Sequence, residues 1–147
     1  MDIPIAHFPI TIMLFSFSGT RPDNLGVKDD ALAPCPSSPN CVSSQSPQSD
    51  SEHYIEPIAI SDSDAAMAQL VSIVAGLERT TIVTQSDSYL YAEFKTALMG
   101  FVDDVEFYLD KAAKIIHVRS ASRLGKSDLG VNRKRIDDIR AQFAAQS

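Results

Sequence analysis

The sequence of 147 residues has no hydrophobic run long enough to span a membrane as a helix. Its longest apolar stretch, within HFPITIMLFSFSG, covers roughly ten residues, whereas a transmembrane helix needs about 20. The stretch fits the hydrophobic region of a signal peptide, because Ser16 and Ser18 supply the small residues of a cleavage site before Gly19. No Lys or Arg precedes it, which departs from the usual signal. We expect residues 1–18 to be a signal peptide and the protein to be extracytoplasmic, in a periplasm or thylakoid lumen. A cytoplasmic protein is the alternative.

Positive charge is also scarce. Thirteen Lys and Arg residues face nineteen Asp and Glu residues, and the net charge of −6 argues against general binding of nucleic acid. The imbalance is uneven, because residues 111–147 hold nine of the thirteen basic residues and only three of the acidic ones. The basic last quarter can orient an anionic partner, or the two ends of the chain can simply attract each other.

Familiar catalytic and cofactor motifs are missing. The sequence has no Walker loop and no GxGxxG, GxSxG or HExxH motif, and we predict no cofactor. Asp103 and Asp104 are neighbours on a predicted strand and point to opposite faces, so they do not form a catalytic carboxylate pair. His117 is the one acid–base candidate, although a lone histidine on a strand is more often structural. The sequence leaves open whether the protein is an enzyme.

The only two cysteines, Cys35 and Cys41, bracket the stretch PCPSSPNC. Its prolines and serines bend the chain, so the two Cα atoms can approach within the roughly 4.4–6.8 Å of a disulfide. A disulfide in an exported protein is the leading explanation, and free thiols, a metal site or a redox-active pair are the alternatives. We predict no metal site, because structural zinc needs four ligands and no second cysteine pair is present.

Residues 19–53 are rich in Pro, Ser, Asp and Asn, and we predict a long N-terminal loop there. Residues 54–147 are predicted to form one α+β domain. It begins with HYIEPIAI, which can form a strand at a sheet edge despite Pro57. A helix follows, capped by one of residues 61–64, with an apolar stripe made of Met67, Leu70, Val71, Val74 and Leu77.

Four strand-like runs come next and pair as two hairpins, joined at residues 86–87 and 111–113. A last helix, from about Leu129 to Ala145, turns Ile136, Ile139 and Phe143 inward and is capped by Ser127 or Asp128. The order β-α-β-β-β-β-α predicts a curved antiparallel sheet of about five strands with two helices on one face. TATA-binding-protein-like and helix-grip domains share this order.

Alternation in the second hairpin sets the register of its two strands. Pairing the apolar residues opposes Phe107 to Val118, and therefore Glu106 to Arg119 and Tyr108 to His117 on the other face. We predict that this polar face carries Tyr89, Tyr91, Glu93, Glu106, Tyr108, His117, Arg119 and Arg123. A solvated sheet face has the same appearance.

An anion site is predicted where this face meets the last helix. Guanidinium groups and free helix N-terminal N–H groups favour phosphate or carboxylate, so Arg119, Arg123 and Ser127 could bind an anion together. Asn132 lies on the inward stripe of the last helix, where its amide needs hydrogen-bonding partners.

Long ordered motifs make the sequence similar to a known family. RPDNLGV, PCPSSPNCVSSQ, TTIVTQSDSYLYAEF, GFVDDVEFYLD and IHVRSASRLGKSDLGVNRKRIDDIR resemble the domain of unknown function family 1499 of bacteria and plant plastids, from Arg21 to Phe143. The resemblance implies no activity. Many members look exported or membrane-anchored, which favours export here, and the missing cysteine after the apolar run argues against a lipid anchor.

Three hypotheses about function follow. The first is an exported binding or interaction domain that holds an anionic small molecule or an acidic protein partner on the polar face around Arg119 and Arg123. The second is a helix-grip type carrier of an apolar ligand, and the third is an enzyme that uses His117.

Overall fold

The computed structural model describes residues 18–97, 99–125 and 127–146. These residues form an α+β fold in which one open antiparallel sheet carries two helices. The strands are β1 (Cys41–Ser43), β2 (Ile58–Ala59), β3 (Thr80–Gln85), β4 (Tyr89–Lys95), β5 (Val102–Asp110) and β6 (Ile115–Ser122), and the helices are α1 (Ala66–Ala75) and α2 (Val131–Ala145).

The sheet has the order β1-β6-β5-β4-β3, and the short β2 also pairs with β6. The predicted register of the second hairpin is confirmed, because Phe107 lies opposite Val118 and Glu106 opposite Arg119. The strand after Pro57 is confined to a sheet edge, as its proline requires. The prediction of a continuous loop through Cys41–Ser43 is wrong, because these residues form β1 and give the sheet a sixth strand.

The core lies between one face of the sheet and the two helices. Val105 and Phe107 from β5 are fully buried there, as are Leu70 of α1 and Ile136 of α2. They belong to one continuous apolar cluster. Burial of these side chains is the main stabilising contribution, since a fully buried Leu, Ile or Phe contributes roughly 1.5–3 kcal/mol.

Aspartates precede both helices. The carboxylate of Asp62 accepts hydrogen bonds from the backbone N–H groups of Asp64 and Ala65, so it satisfies donors in the turn before α1. Asp128 plays this role at α2, where its side chain accepts bonds from the N–H groups of Gly130 and Asn132. The prediction that Ser127 or Asp128 is the N-cap residue of the last helix is wrong in position, because the N-cap of α2 is Gly130 and the helix begins two residues later than expected.

The polar face of the sheet is covered by residues 18–34, which we name the N-terminal cover. Arg21 reaches Glu93 on β4, and the N–H of Gly26 donates to the carboxylate of Glu106 on β5 at 2.8 Å. The sheet is therefore enclosed on both faces, by helices on the apolar side and by the cover on the polar side. Within the described residues, neither helix is long and apolar enough to cross a membrane.

Candidate functional site

The centre of the polar face is a buried charge pair on β5 and β6. Glu106 is inaccessible to solvent and Arg119 is 5% exposed. Their nearest charged atoms, the Oε1 of Glu106 and a terminal guanidinium nitrogen of Arg119, are 3.9 Å apart, which is too long for a hydrogen bond. The other carboxylate oxygen of Glu106 accepts a 2.6 Å bond from the hydroxyl of Tyr89. Burial and this bond raise the pKa of Tyr89 and keep its phenol protonated.

Two atoms of this pair have no hydrogen-bond partner among the described residues: the Oε1 of Glu106 and the Nε of Arg119. Arg119 donates one long bond of 3.3 Å, to the carbonyl of Pro34 in the N-terminal cover. Burial lowers the pKa of Arg119, and the charge of Glu106 offsets part of that effect. An acceptor beside Arg119 and a donor beside Glu106 would satisfy both atoms, and one small polar molecule can supply both.

A second and better satisfied cluster surrounds Arg123, just beyond β6. Its guanidinium donates to Asp104 at 2.6 and 3.2 Å and to Glu93 at 2.5 Å. Burial alone would lower the pKa of Arg123, but the bonds to these two carboxylates raise it above its usual value. Tyr91 completes the cluster by donating from its hydroxyl to Asp104. Arg123 therefore has two anionic partners within the chain and offers little to an external anion.

Tyr108 and His117 lie opposite each other at the margin of the polar face, with their rings stacked 6.2 Å apart. Tyr108 donates to Asp30 of the cover at 3.3 Å. The Nδ1 of His117 is 3.1 Å from the hydroxyl oxygen of Ser44, which itself accepts a bond from the N–H of Val118. Burial lowers the pKa of His117, so its imidazole is neutral near pH 7.

The predicted anion site is divided between the two faces of the sheet. Asn132 is fully buried on the helix side, where its amide accepts from Ser120 and donates to Ser122 and Asp128. The hydroxyl of Ser127 accepts from the N–H of Leu129. The structure brings Tyr91 close to Arg123 and Glu106 close to Arg119, whereas Asn132 packs beneath the opposite face. A ligand-binding role for any of these residues stays a prediction.

A groove of about 410 Å³ opens beside α2, where this helix passes the end of β4 and the turn before β3. Its floor is apolar and includes Leu77, Phe94 and Ile139, with Val131 at one end. Its rim carries four cationic side chains against two acidic ones; these are Arg79, Lys95, Lys134 and Arg135, with Glu78 and Asp138.

The rim cations differ in how far the chain itself neutralises them. Arg135 lies 4.8 Å above the ring of Phe94 and bonds Asp103 at 2.6 Å. Lys134 pairs with Asp138 at 2.8 Å, and both side chains are exposed. Arg79 pairs with Glu78 at 3.1 Å. Lys95 has no side-chain partner among the described residues, so it is the rim cation that remains available to a ligand.

The loop of PCPSSPNC is closed by a disulfide between Cys35 and Cys41, whose Cα atoms are 5.7 Å apart. This confirms the bond that the cysteine spacing predicts. His53 packs against the same loop, with its Nε2 2.9 Å from the carbonyl oxygen of Ser38 and its Nδ1 2.7 Å from a carboxylate oxygen of Asp50. Within the described residues, no group of three His, Cys, Asp or Glu side chains could hold a metal ion.

A comparison with known protein families finds a match over most of the chain. Residues 31–143 match the model of a family described as a protein of unknown function, DUF1499. The chain belongs to this family. The resemblance seen in the sequence motifs is thereby confirmed. The DUF1499 match includes all six strands, α1 and most of α2. A comparison with curated proteins finds no match.

The DUF1499 region leaves out part of the N-terminal cover, which sequence reasoning also missed as part of the site. Gly26 and Pro34 contribute backbone groups to the polar face, and such groups leave no side-chain signal. Arg21 was also missed, because it is exposed and nothing in the sequence relates it to Glu93, with which it pairs. Ser44 was likewise missed, since nothing in the sequence places its hydroxyl beside His117.

Proposed function

We propose that this protein is an extracytoplasmic binding domain, and that it holds a small anionic molecule with an apolar part in the groove beside α2. The proposal combines the anionic ligand of the first sequence hypothesis with the helix-side location of the second. The single observation that carries it is the groove itself, which has an apolar floor and a rim with more cations than anions.

The groove has the size and composition that ligand sites require. Small-molecule sites commonly measure about 300–1,000 Å³ and combine an apolar lining with a few polar groups that fix orientation. Here Phe94 and Ile139 offer an apolar surface, and Lys95 at the end of β4 offers an ammonium group that no described side chain pairs with. An aromatic or acyl carboxylate matches both features, because its apolar part leaves water while its charge stays at the rim.

The polar face supports an external anion less well. Arg123 is held by two carboxylates, and the N-terminal cover lies over Arg119. An anion at Arg119 would have to displace the cover while keeping its charge beside Glu106, which costs Coulomb energy in a buried setting. We therefore assign the ligand to the groove.

The disulfide supports the extracytoplasmic location. Thiols in the cytosol are kept reduced, whereas structural disulfides persist in the periplasm, the extracellular space and comparable compartments. Intact mass of the protein from its own host, alkylated before and after reduction, tests this point. We expect no free thiols and a chain that starts near Gly19. A full-length chain with two alkylated thiols would contradict the proposed location.

The probe for the groove is 8-anilinonaphthalene-1-sulfonate, a fluorescent aromatic sulfonate. We expect saturable binding to the native protein that Lys95→Glu weakens more than tenfold. At about 4 Å a unit charge contributes roughly 1 kcal/mol in water, so replacing attraction by repulsion costs about 2 kcal/mol.

Lys111→Glu is the matched control, because Lys111 is 58% exposed in the turn between β5 and β6 and does not line the groove. Its affinity for the sulfonate should be unchanged. The uncharged analogue N-phenyl-1-naphthylamine should bind the native protein more weakly and lose nothing in Lys95→Glu. If the two Lys→Glu substitutions weakened binding of the sulfonate equally, the groove would not be the binding site.

A second candidate places a ligand on the polar face, and it is favoured by the Nε of Arg119 and the Oε1 of Glu106, to which no described residue forms a hydrogen bond. A panel of small carboxylates and phosphates can be screened for a rise in melting temperature. If a ligand binds there, we expect a rise in melting temperature that Arg119→Ala abolishes and Lys111→Ala preserves.

The enzyme hypothesis depends on the neutral His117 beside Ser44, and an unchanged metabolite profile in a His117→Ala strain would count against it.

A further inference from the structure

The side chain of Gln45 binds the backbone of the N-terminal cover at two points. Its Oε1 accepts a hydrogen bond from the N–H of Leu32 at 2.8 Å, and its Nε2 donates to the carbonyl of Asp30 at 3.3 Å. A carboxamide has one acceptor and two donors, so it can pair with the N–H and the C=O of a polypeptide together. Neither bond depends on which side chains the bound segment carries.

Two charged side chains of the polar face bind the cover in the same way. Glu106 accepts from the N–H of Gly26, and Arg119 donates to the carbonyl of Pro34. Together with Gln45, these side chains bind four backbone groups of the cover. Main-chain hydrogen bonds of this kind give affinity for polypeptide in general, since every residue except proline offers both an N–H and a C=O.

The cover leaves this site incompletely satisfied. Glu106 is inaccessible to solvent and Arg119 is 5% exposed, yet no described residue forms a hydrogen bond with the Oε1 of the first or the Nε of the second. A buried polar atom without a hydrogen bond costs free energy. A segment that brings one more N–H to Glu106 and one more C=O to Arg119 therefore has an advantage over the cover.

The cover is also weakly held. Within residues 18–34, Leu32 is the one large apolar side chain that is buried, and Val27 is exposed. The turn in the middle of the cover places Asp29 and Asp30 in the left-handed region, with φ of 53° and 60°, which is unfavourable for residues other than glycine. Segments that bury few apolar contacts open locally at a small fraction of the global stability. The cover can therefore leave the polar face while the core stays folded.

We infer that the polar face is a binding site for a polypeptide segment of a partner protein, and that the cover occupies this site until such a segment displaces it. The segment has an uncharged stretch of backbone over Glu106 and Arg119, and a basic residue beside Glu93, where the cover places Arg21. Backbone groups carry no net charge, so they enter the buried site without the desolvation cost of an ion.

The cover of a second copy of the chain fits the site less well. It would form the same hydrogen bonds and leave the same two atoms of Glu106 and Arg119 unsatisfied. The inference does not require a ligand in the groove.

A fluorescein-labelled peptide of residues 18–34 is the probe, and the full chain is the receptor. In the native protein the cover competes with the peptide at an effective concentration on the order of millimolar. A Gly26→Pro substitution in the protein loosens the cover, because proline has no N–H for Glu106 and cannot adopt the φ of 100° found there. We expect the peptide, which keeps Gly26, to bind the Gly26→Pro protein at least tenfold more tightly than the native protein in fluorescence anisotropy.

A second substitution tests whether the peptide occupies the polar face. In the Gly26→Pro protein, Gln45→Ala should weaken peptide binding at least tenfold, because it removes two hydrogen bonds to the peptide backbone. Gln85→Ala is the matched control and should change nothing, since Gln85 is exposed on β3 at the far edge of the sheet from β1. Binding of the aromatic sulfonate in the groove should be unchanged by Gln45→Ala. That reading separates failure of this inference from failure of the proposed function.

Amide hydrogen exchange tests the native chain without any substitution. The N–H groups of Gly26 and Leu32 should exchange at least 100-fold faster than the N–H of Phe107 in the central strand β5, because opening of the cover does not require unfolding of the core. Millimolar unlabelled peptide should accelerate their exchange further, since the peptide takes the place of the cover.

Four results would overturn the inference. The first is equal affinity of the peptide for the native and Gly26→Pro proteins, and the second is unchanged binding after Gln45→Ala. The third is exchange of the Gly26 N–H as slow as that of Phe107 in the presence of the peptide. The fourth is a native protein that sediments as a dimer and becomes a monomer on Gly26→Pro, which would assign the site to the cover of a second copy.

Discussion

Reduction of the Cys35–Cys41 disulfide should lower the free energy of unfolding by about 2 kcal/mol. The bond joins residues six positions apart, and closing so short a loop removes limited entropy from the unfolded chain. The chain-entropy relation gives roughly 7 cal/mol/K for a loop of this length, which is about 2 kcal/mol at 25 °C.

The folded structure should change little, because the end of the loop has anchors of its own. The carbonyl of Asn40 accepts a bond from the N–H of Ser122, and Cys41 is fully buried in β1. Reduction therefore acts mainly on the unfolded chain, and the dependence of stability on urea should keep nearly the same slope.

Urea unfolding of oxidised and reduced protein, followed by circular dichroism, measures the effect. With a slope of about 2 kcal/mol per molar urea, the midpoint should fall by about 1 M on reduction. The Cys35→Ser/Cys41→Ser double variant should unfold with the midpoint of the reduced native protein. Identical midpoints for the oxidised and reduced protein would refute the reasoning, and so would complete unfolding on reduction.

Three further predictions concern buried polar groups. The bonds from His53 to the Ser38 carbonyl and to Asp50 raise its pKa, because two acceptors require both ring nitrogens to donate. This contribution is complete below the unfolded pKa of about 6.5 and is lost as pH rises through the folded pKa, so stability should fall above about pH 6.5 and His53→Asn should flatten that decline. Arg123→Met should cost about 3–5 kcal/mol in urea unfolding, because it leaves Asp104 a buried carboxylate without its cation, and Arg140→Met should cost less, because its partner Asp137 is exposed. Asn132→Ala should cost at least about 2 kcal/mol in thermal unfolding, since it removes the acceptor of the Ser120 hydroxyl proton and the amide donor to Ser122 and Asp128.

Most of the fold could be predicted from the periodicity of apolar residues along the sequence. Alternation along β5 and β6 specified which residues face the helices, and a register shifted by one residue would have turned the apolar residues of one strand toward the polar face. For the same reason the pairing of Glu106 with Arg119 could be predicted from the sequence alone. The helices followed from apolar stripes, and the inward position of Asn132 followed from its spacing to Ile136.

The N-terminal contribution could not be predicted in the same way. Three residues of β1 are too few to show alternation, and their pairing partner lies about eighty positions away in β6. The cover reaches the sheet largely through backbone groups, such as the N–H of Gly26, whose hydrogen bonds do not depend on residue type. The polar face therefore looked solvated in the sequence, whereas the structure buries its central charge pair.

The groove escaped prediction because its residues come from three separate parts of the chain. Leu77 and Arg79 lie in the turn between α1 and β3, Lys95 ends β4 and Lys134 belongs to α2. No sequence spacing relates these three parts to one another. Only the packing of α2 beside the end of the sheet assembles them.

Pairing of β1 with β6 has a consequence for how the chain matures. Cys41 pairs with Ala121, so the chain must close the long loop between these two residues before this edge of the sheet can form. Contacts of such high sequence separation slow folding, which places completion of the sheet late in the process. While Ser122 is still inside a ribosome or a translocation channel, Asn40 and β1 therefore lack the part of β6 with which they pair. β1 therefore stays without its partner strand until β6 has emerged.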